Sequence, residues 1–65
     1  MTFDQYLKVL STSPKAHQRL GQLAMNVLGG VRPDLYEAVT FDKSIDPFYE
    51  DEKLGKFFVF LQENW

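Results

Sequence analysis

The chain contains no cysteine and only one histidine, His17, among its 65 residues. Without cysteine it can form neither a disulfide nor a thiolate metal site. Ser-His-Asp catalysis would have to pair His17 with Ser11, Ser13 or Ser44, which stand at a predicted helix break and in a predicted loop, so nothing places a nucleophile beside a base. The sequence therefore predicts a protein that is not an enzyme, with no catalytic residue and no bound cofactor.

Long apolar runs are also missing. No stretch approaches the roughly 18 consecutive apolar residues of a membrane span, and the first residues lack the basic-then-apolar pattern of a secretory signal. We therefore expect a cytoplasmic protein that does not bind a membrane. The length predicts one small helical domain over residues 1–65. A chain this short is marginally stable alone, so we expect it to rely on its six Phe, three Tyr and one Trp or on a second copy of itself.

Acidic side chains cluster late in the chain, at positions 42, 46, 50, 51 and 52. A calcium-binding EF-hand loop needs acids at alternate positions and a central glycine, whereas this stretch contains Lys43 and Pro47. A phosphate-binding loop is not indicated either, because Gly29-Gly30 lacks the following Lys-Ser/Thr. The sequence predicts no metal site, and we expect these acids to cap helices and turns.

The strongest structural signal is the closing segment, in which large apolar residues recur at helical spacing. Leu54, Phe57, Phe58, Leu61 and Trp65 fall on one face of a helix. Burying each such side chain stabilises a fold by about 1.5–3 kcal/mol. This stripe is therefore expected to form the centre of the core, with Phe58 among its buried residues.

Three further helices are indicated. Thr2 and Gln5 form a capping-box pattern for a helix over residues 2–11. A second helix is predicted from Pro14 to about Leu28, ended by Gly29-Gly30, and a short third helix over residues 33–39. The predicted fold is all-α, a compact bundle of three to four short helices. One alternative remains open, in which residues 38–41 and 57–61 pair as strands.

The two halves of the chain differ in charge. Residues 1–33 carry four basic side chains and one acid, whereas residues 34–65 carry eight acids and three lysines, which gives +3 and −5. On the second helix one polar face would present Lys15, Arg19, Gln22 and Asn26, side chains that suit phosphates and bases. Nucleic-acid binding by this face is the alternative function, disfavoured by the acidic half. Arg19 and Asn26 could instead bond to the Asp46 turn or to neighbouring helix ends.

Several short motifs carry a resemblance: R-L-G-Q (19–22), N-V-L (26–28), R-P-D-L (32–35), D-P-F-Y (46–49) and E-N-W (63–65). With these motifs the chain resembles a loose group of short, uncharacterised proteins of bacteriophages and bacteria. The resemblance covers most of the chain from Arg19 onward and transfers no catalytic residue. It implies a phage or bacterial accessory protein.

Protein–protein interaction is the predicted function, in an accessory or regulatory role that includes self-association as a homodimer. Four apolar side chains are expected outside the core, at Met25, Tyr36, Val59 and Phe60. Aromatic and methionine side chains left outside a core are frequent anchors at interfaces. Scattered exposed apolar residues are also normal on soluble proteins, so these four are candidates for an interaction surface.

Overall fold

The computed structural model describes residues 1–13 and 18–65, which form a small bundle of helices. Within these ranges there are four α-helices and no strand: α1 (Phe3–Thr12), α2 (Leu20–Val31), α3 (Pro33–Phe41) and α4 (Leu54–Asn64). The predicted all-α bundle is confirmed. The strand alternative is wrong, because residues 38–41 lie in α3 and residues 57–61 in α4. None of these helices is long and apolar enough to cross a membrane.

Helix α1 begins with the predicted capping box. The Gln5 backbone N–H donates to the Thr2 hydroxyl at 3.1 Å, and the Thr2 N–H donates to the Gln5 side-chain oxygen at 2.8 Å. These two bonds satisfy donors that a helix N-terminus otherwise leaves free. The helix buries Tyr6 and Leu10, which places its apolar face on the core.

Helix α2 differs from the prediction at both ends. Its predicted start at Pro14 lies outside the described residues, but Gln18 and Arg19 are not helical and the helix begins at Leu20. Gly29-Gly30 does not end the helix, which continues to Val31. The helix ends there because Pro33 keeps Arg32 out of the helical region, and Arg32 has φ −141° and ψ 73°.

The core is centred on α2, which packs on both α1 and α3 and contributes four buried apolar residues, so the predicted centre on α4 is wrong. Helix α4 contributes Phe57 and Leu61, which are completely buried. Phe58 is only half-buried and lies at the edge of the core beside Leu10 and Leu20, so its predicted central position is wrong. The centre of the stripe is therefore one residue earlier in the sequence. The other buried apolar residues are Tyr6, Leu10, Leu23, Ala24, Met25, Leu28, Leu35, Val39 and Ile45.

Trp65 joins the end of α4 to the beginning of the chain. Its ring packs against Phe3 and Tyr6, with ring centroids 5.7 and 5.1 Å away, and its indole N–H donates to the Met1 carbonyl at 2.9 Å. The Arg32 guanidinium lies 5.1 Å from the centroid of the Trp65 ring and donates to the Trp65 backbone oxygen at 2.6 Å. The apolar stripe of α4 thus extends to Trp65.

The Tyr6 hydroxyl is the buried polar group of the core, and it donates to the Ala24 carbonyl at 2.7 Å. Burial raises the pKa of Tyr6, because the ionised phenolate is poorly solvated in the core. In the unfolded chain the same group has a pKa of about 10. The unfolded state therefore loses this proton first as the pH rises, which favours unfolding.

We expect the free energy of unfolding to fall with pH above about pH 10 because of Tyr6. Absorbance at 295 nm, followed as the pH rises, should show Tyr6 ionising only when the protein unfolds. Tyr6→Phe should remove most of the alkaline loss of stability, while costing roughly 1 kcal/mol at neutral pH. Ionisation of Tyr6 at a pH below the unfolding transition would contradict its burial.

Candidate aromatic groove

A groove of about 220 Å³ lies between α3 and the turn at residues 46–49, and we refer to it as the α3 groove. Aromatic rings and one carboxylate dominate its walls. Tyr36 and Thr40 come from α3, whereas Asp46, Phe48 and Tyr49 come from the turn, and Met25 of α2 completes the lining. The α3 groove therefore brings three aromatic residues from different parts of the chain to one place on the surface.

The turn of the groove is shaped by an aspartate and a proline. The Asp46 carboxylate accepts the Phe48 backbone N–H at 2.9 Å, which confirms the prediction that Asp46 caps a turn. Pro47 is fully buried, and its carbonyl accepts the Glu50 N–H at 3.2 Å. The buried proline therefore fixes where the aromatic side chains that follow it are placed.

Phe48 and Tyr49 take opposite roles in the groove. Phe48 is partly buried against the core, whereas Tyr49 is 79% exposed. Adjacent side chains in a turn point in different directions, and only the first reaches the core here. Their rings meet edge to face, with centroids 4.9 Å apart and planes at 73°, an arrangement that aromatic pairs prefer.

Tyr36 supplies the wall of the groove opposite the turn. A Cβ atom at Gly29 would lie 3.2 Å from Tyr36 Cδ2, so the glycine lets the ring rest closely on α2. Tyr36 remains 38% exposed, which confirms the prediction that it lies outside the core. The ring is thus supported on one side and open to solvent on the other.

Contacts with the start of α2 hold the turn in place. The Arg19 guanidinium donates to the Phe48 carbonyl, and its Nε lies 3.6 Å from the Asp51 carboxylate. The same carboxylate accepts the Gly21 backbone N–H at 3.0 Å, so Asp51 caps α2 from a distant part of the sequence. These contacts join the basic half of the chain to the acidic half.

The predicted nucleic-acid face does not form one open polar surface in the described residues. Lys15 lies outside them. Arg19 is bonded to the turn, as the alternative interpretation expected, and its backbone N–H donates to the Gln22 side chain at 3.1 Å. Asn26 donates to the Gln18 side-chain oxygen at 2.7 Å. Arg19, Gln22 and Asn26 therefore stabilise the start of α2 and its neighbourhood.

The four predicted interaction residues have different environments. Met25 is 1% exposed, so its predicted exposure is wrong; α2 packs on both α1 and α3, which buries a second face of the helix. Phe60 is partly buried against the core rather than exposed. Val59 is exposed on the side of α4 opposite Phe57 and does not line the α3 groove. Of these four residues, only Tyr36 is exposed and also lines the α3 groove.

Two strongly exposed aromatic residues were missing from the predicted surface, Tyr49 and Phe41. Phe41 is 82% exposed and lies about 200° around α3 from the buried Val39, so helical spacing alone could have identified it. Tyr49 had no such signal, because its exposure depends on the conformation of the Asp46 turn.

The residues considered for catalysis or metal binding have local structural partners. The Ser11 and Ser13 hydroxyls donate to helix carbonyls of Lys8 and Val9, and the Ser44 hydroxyl donates to Asp42. His17 lies outside the described residues. Within residues 1–13 and 18–65, no three His, Asp or Glu side chains form a group that could hold a metal ion.

Comparisons with known proteins gave no match: no family model fits the chain, and neither the curated proteins nor the solved structures include a significantly similar one. What the structure shows is the class of protein, a small all-α bundle with an aromatic surface groove. The resemblance to short phage and bacterial proteins stays a prediction.

Proposed function

We propose that this chain is a protein–protein interaction module, an accessory or regulatory protein of phage or bacterial origin that acts in the cytoplasm and binds its partner in the α3 groove. The observation that carries this proposal is the pairing of two exposed tyrosines, Tyr36 and Tyr49, in one groove. Tyrosine is enriched at binding hot spots, because its ring offers a large apolar area and its hydroxyl a polar contact.

The lining of the groove also favours this role. Phe48, which is only partly buried, adds apolar surface to the same groove, so a partner side chain that enters the groove would be shielded from water by several apolar neighbours. Tyr36 and Phe48 are each held by contacts to the rest of the fold. A supported surface loses little conformational freedom when it binds, which favours affinity.

A non-catalytic role is part of the same proposal. The hydroxyls of Ser11, Ser13 and Ser44 are engaged in local hydrogen bonds, which supports a structural role for these serines. The side chains proposed for nucleic-acid contact on α2 likewise have partners within the fold.

The experiment is capture from bacterial lysate by the immobilised chain, with and without nuclease and at low and high salt. We expect a protein that survives nuclease and is captured by the wild type and by Phe41→Ala. Tyr49→Ala should capture it about tenfold less well or worse. Phe41 is the matched control, because it is an equally exposed aromatic residue that does not line the α3 groove.

Three outcomes would count against the proposal. Capture that Tyr49→Ala leaves unchanged would remove the groove as the site, and loss of capture with Phe41→Ala would move the interaction to the outer face of α3. Recovery of nucleic acid that is lost at high salt would favour the alternative function, since phosphate contacts depend strongly on salt. Circular dichroism of both variants verifies that they remain folded.

A further inference from the structure

We propose that the α3 groove binds an arginine side chain of the partner protein, between its aromatic rings and the Asp46 carboxylate. This inference rests on the proposed function and specifies the chemistry of the partner. It depends on three observations: the arrangement of the rings, the carboxylate among them, and the excess of negative charge around the groove.

The rings form adjacent walls of one site. Phe48 and Tyr49 stand at 73° with centroids 4.9 Å apart, and Tyr36 lines the same groove from α3. A cation is attracted to the face of an aromatic ring, and sites that enclose cations between several rings are a recurrent form of recognition. The edge-to-face pair and Tyr36 thus bring three aromatic rings to one groove.

A carboxylate in an aromatic groove favours a cationic occupant over an apolar one. Asp46 lines the groove, and one of its oxygens accepts the Phe48 N–H, which fixes the carboxylate at the backbone of the turn. An apolar partner side chain would desolvate this charge without compensation. A guanidinium would both stack on a ring and donate to the carboxylate.

The charge of the surrounding segment complements a cation. Residues 42–53 contain five acids and two lysines, a net charge of −3. Neither lysine lines the α3 groove. Both line an adjoining hollow that shares Asp46 and Tyr49 with the groove, where the Lys53 ammonium donates to the Lys43 carbonyl at 2.9 Å and lies 3.8 Å from Glu50. No Lys or Arg is found among the described residues that line the groove itself.

The same chain already contains this combination internally. The Arg32 guanidinium lies over the Trp65 ring at 5.1 Å and donates through Nε and Nη2 to the Asp34 carboxylate, at 3.0 Å each. Those hydrogen bonds raise the pKa of Arg32 and lower that of Asp34, as expected when both charged forms are stabilised. The α3 groove likewise combines aromatic rings with a carboxylate, that of Asp46, and a guanidinium from a partner protein could enter it.

The test is a titration of the full chain followed by NMR, with two small probes. N-acetyl-arginine methylamide carries the guanidinium, whereas the citrulline analogue has nearly the same shape without the charge. We expect the arginine probe to shift the ring protons of Tyr36 and Tyr49 and the backbone N–H of Phe48 in a saturable way. The citrulline probe should bind about tenfold more weakly.

Three variants localise the binding. Asp46→Asn keeps an oxygen that can accept the Phe48 N–H but removes the charge, and Tyr49→Ala removes one wall; each should weaken the arginine probe about tenfold. Phe41→Ala should leave binding unchanged, because Phe41 does not line the groove. Higher salt should weaken the arginine probe and leave the citrulline probe unaffected.

The inference is overturned if the two probes bind equally, if neither gives saturable shifts, or if the shifts persist in Tyr49→Ala and follow only the exposed acids. Its failure can be told apart from failure of the proposed function. A captured protein that Tyr49→Ala no longer binds, together with no response to the arginine probe, would keep the interaction module and reject the cation. If the arginine probe binds in the groove but Tyr49→Ala captures the protein as well as the wild type does, the cation site is kept and the groove is rejected as the site of protein capture.

Discussion

Gly21→Ala is expected to lower the free energy of unfolding by about 3 kcal/mol. A Cβ atom at this position would lie 2.1 Å from the Pro47 carbonyl oxygen and 2.7 Å from the Asp51 carboxylate. Pro47 is fully buried, so the turn cannot move away without disturbing the core. The shift would also break the hydrogen bond from the Gly21 N–H to Asp51, which caps α2.

Gly30→Ala is the matched control, because it makes the same substitution in the same helix where no atom lies within 4 Å of the added Cβ. It should raise the free energy of unfolding by roughly 0.5–1 kcal/mol, since alanine favours a helix over glycine. Chemical denaturation of both variants provides the comparison. Equal effects of the two substitutions would show that the turn does not approach α2 at Gly21.

Phe57→Ala should lower the free energy of unfolding by about 3–5 kcal/mol, because a completely buried ring is replaced by a cavity. A domain of this size has a total stability of roughly 3–10 kcal/mol, so much of the variant should be unfolded at room temperature. Trp65 emission, followed in denaturant, gives the measurement, since its ring packs against Phe3 and Tyr6 in the folded state.

The neighbouring residues supply the controls for Phe57→Ala. Phe58→Ala removes the same ring from the half-buried edge of the core and should cost clearly less. Val59→Ala alters an exposed side of α4 and should stay within about 0.5 kcal/mol of the wild type. A larger loss for Phe58→Ala than for Phe57→Ala would mean that α4 presents a different face to the core.

The fold class was predictable because local signals agreed with the tertiary structure. The capping box of Thr2 and Gln5 and the helix formed by the closing segment each depend on residues close in sequence, and both are found as predicted. Within that helix only Phe57 and Leu61 are fully buried. The end of α2 was predicted wrongly, because Gly29-Gly30 resembles a helix stop signal. In the structure neither glycine adopts a left-handed conformation, and the helix continues to Val31 before Pro33.

The candidate site was predictable only in part, because it is assembled from distant parts of the chain. Tyr36 could be placed at an edge from the spacing of α3, and Asp46 could be placed in a turn by the proline that follows it. The burial of Met25 depends on α3 and the turn packing over α2, and the exposure of Tyr49 depends on Phe48 occupying the core side of the turn. Neither property is encoded in neighbouring residues.

The central claim is that the α3 groove serves binding, whereas the core serves stability, and two tyrosines allow a direct comparison. Capture and thermal unfolding would be measured together for the wild type, Tyr49→Ala and Tyr6→Phe. We expect Tyr49→Ala to lose capture with an unchanged melting temperature, and Tyr6→Phe to lower the melting temperature with unchanged capture. Capture that survives Tyr49→Ala but is lost in Tyr6→Phe at a temperature where that variant is folded would contradict the account.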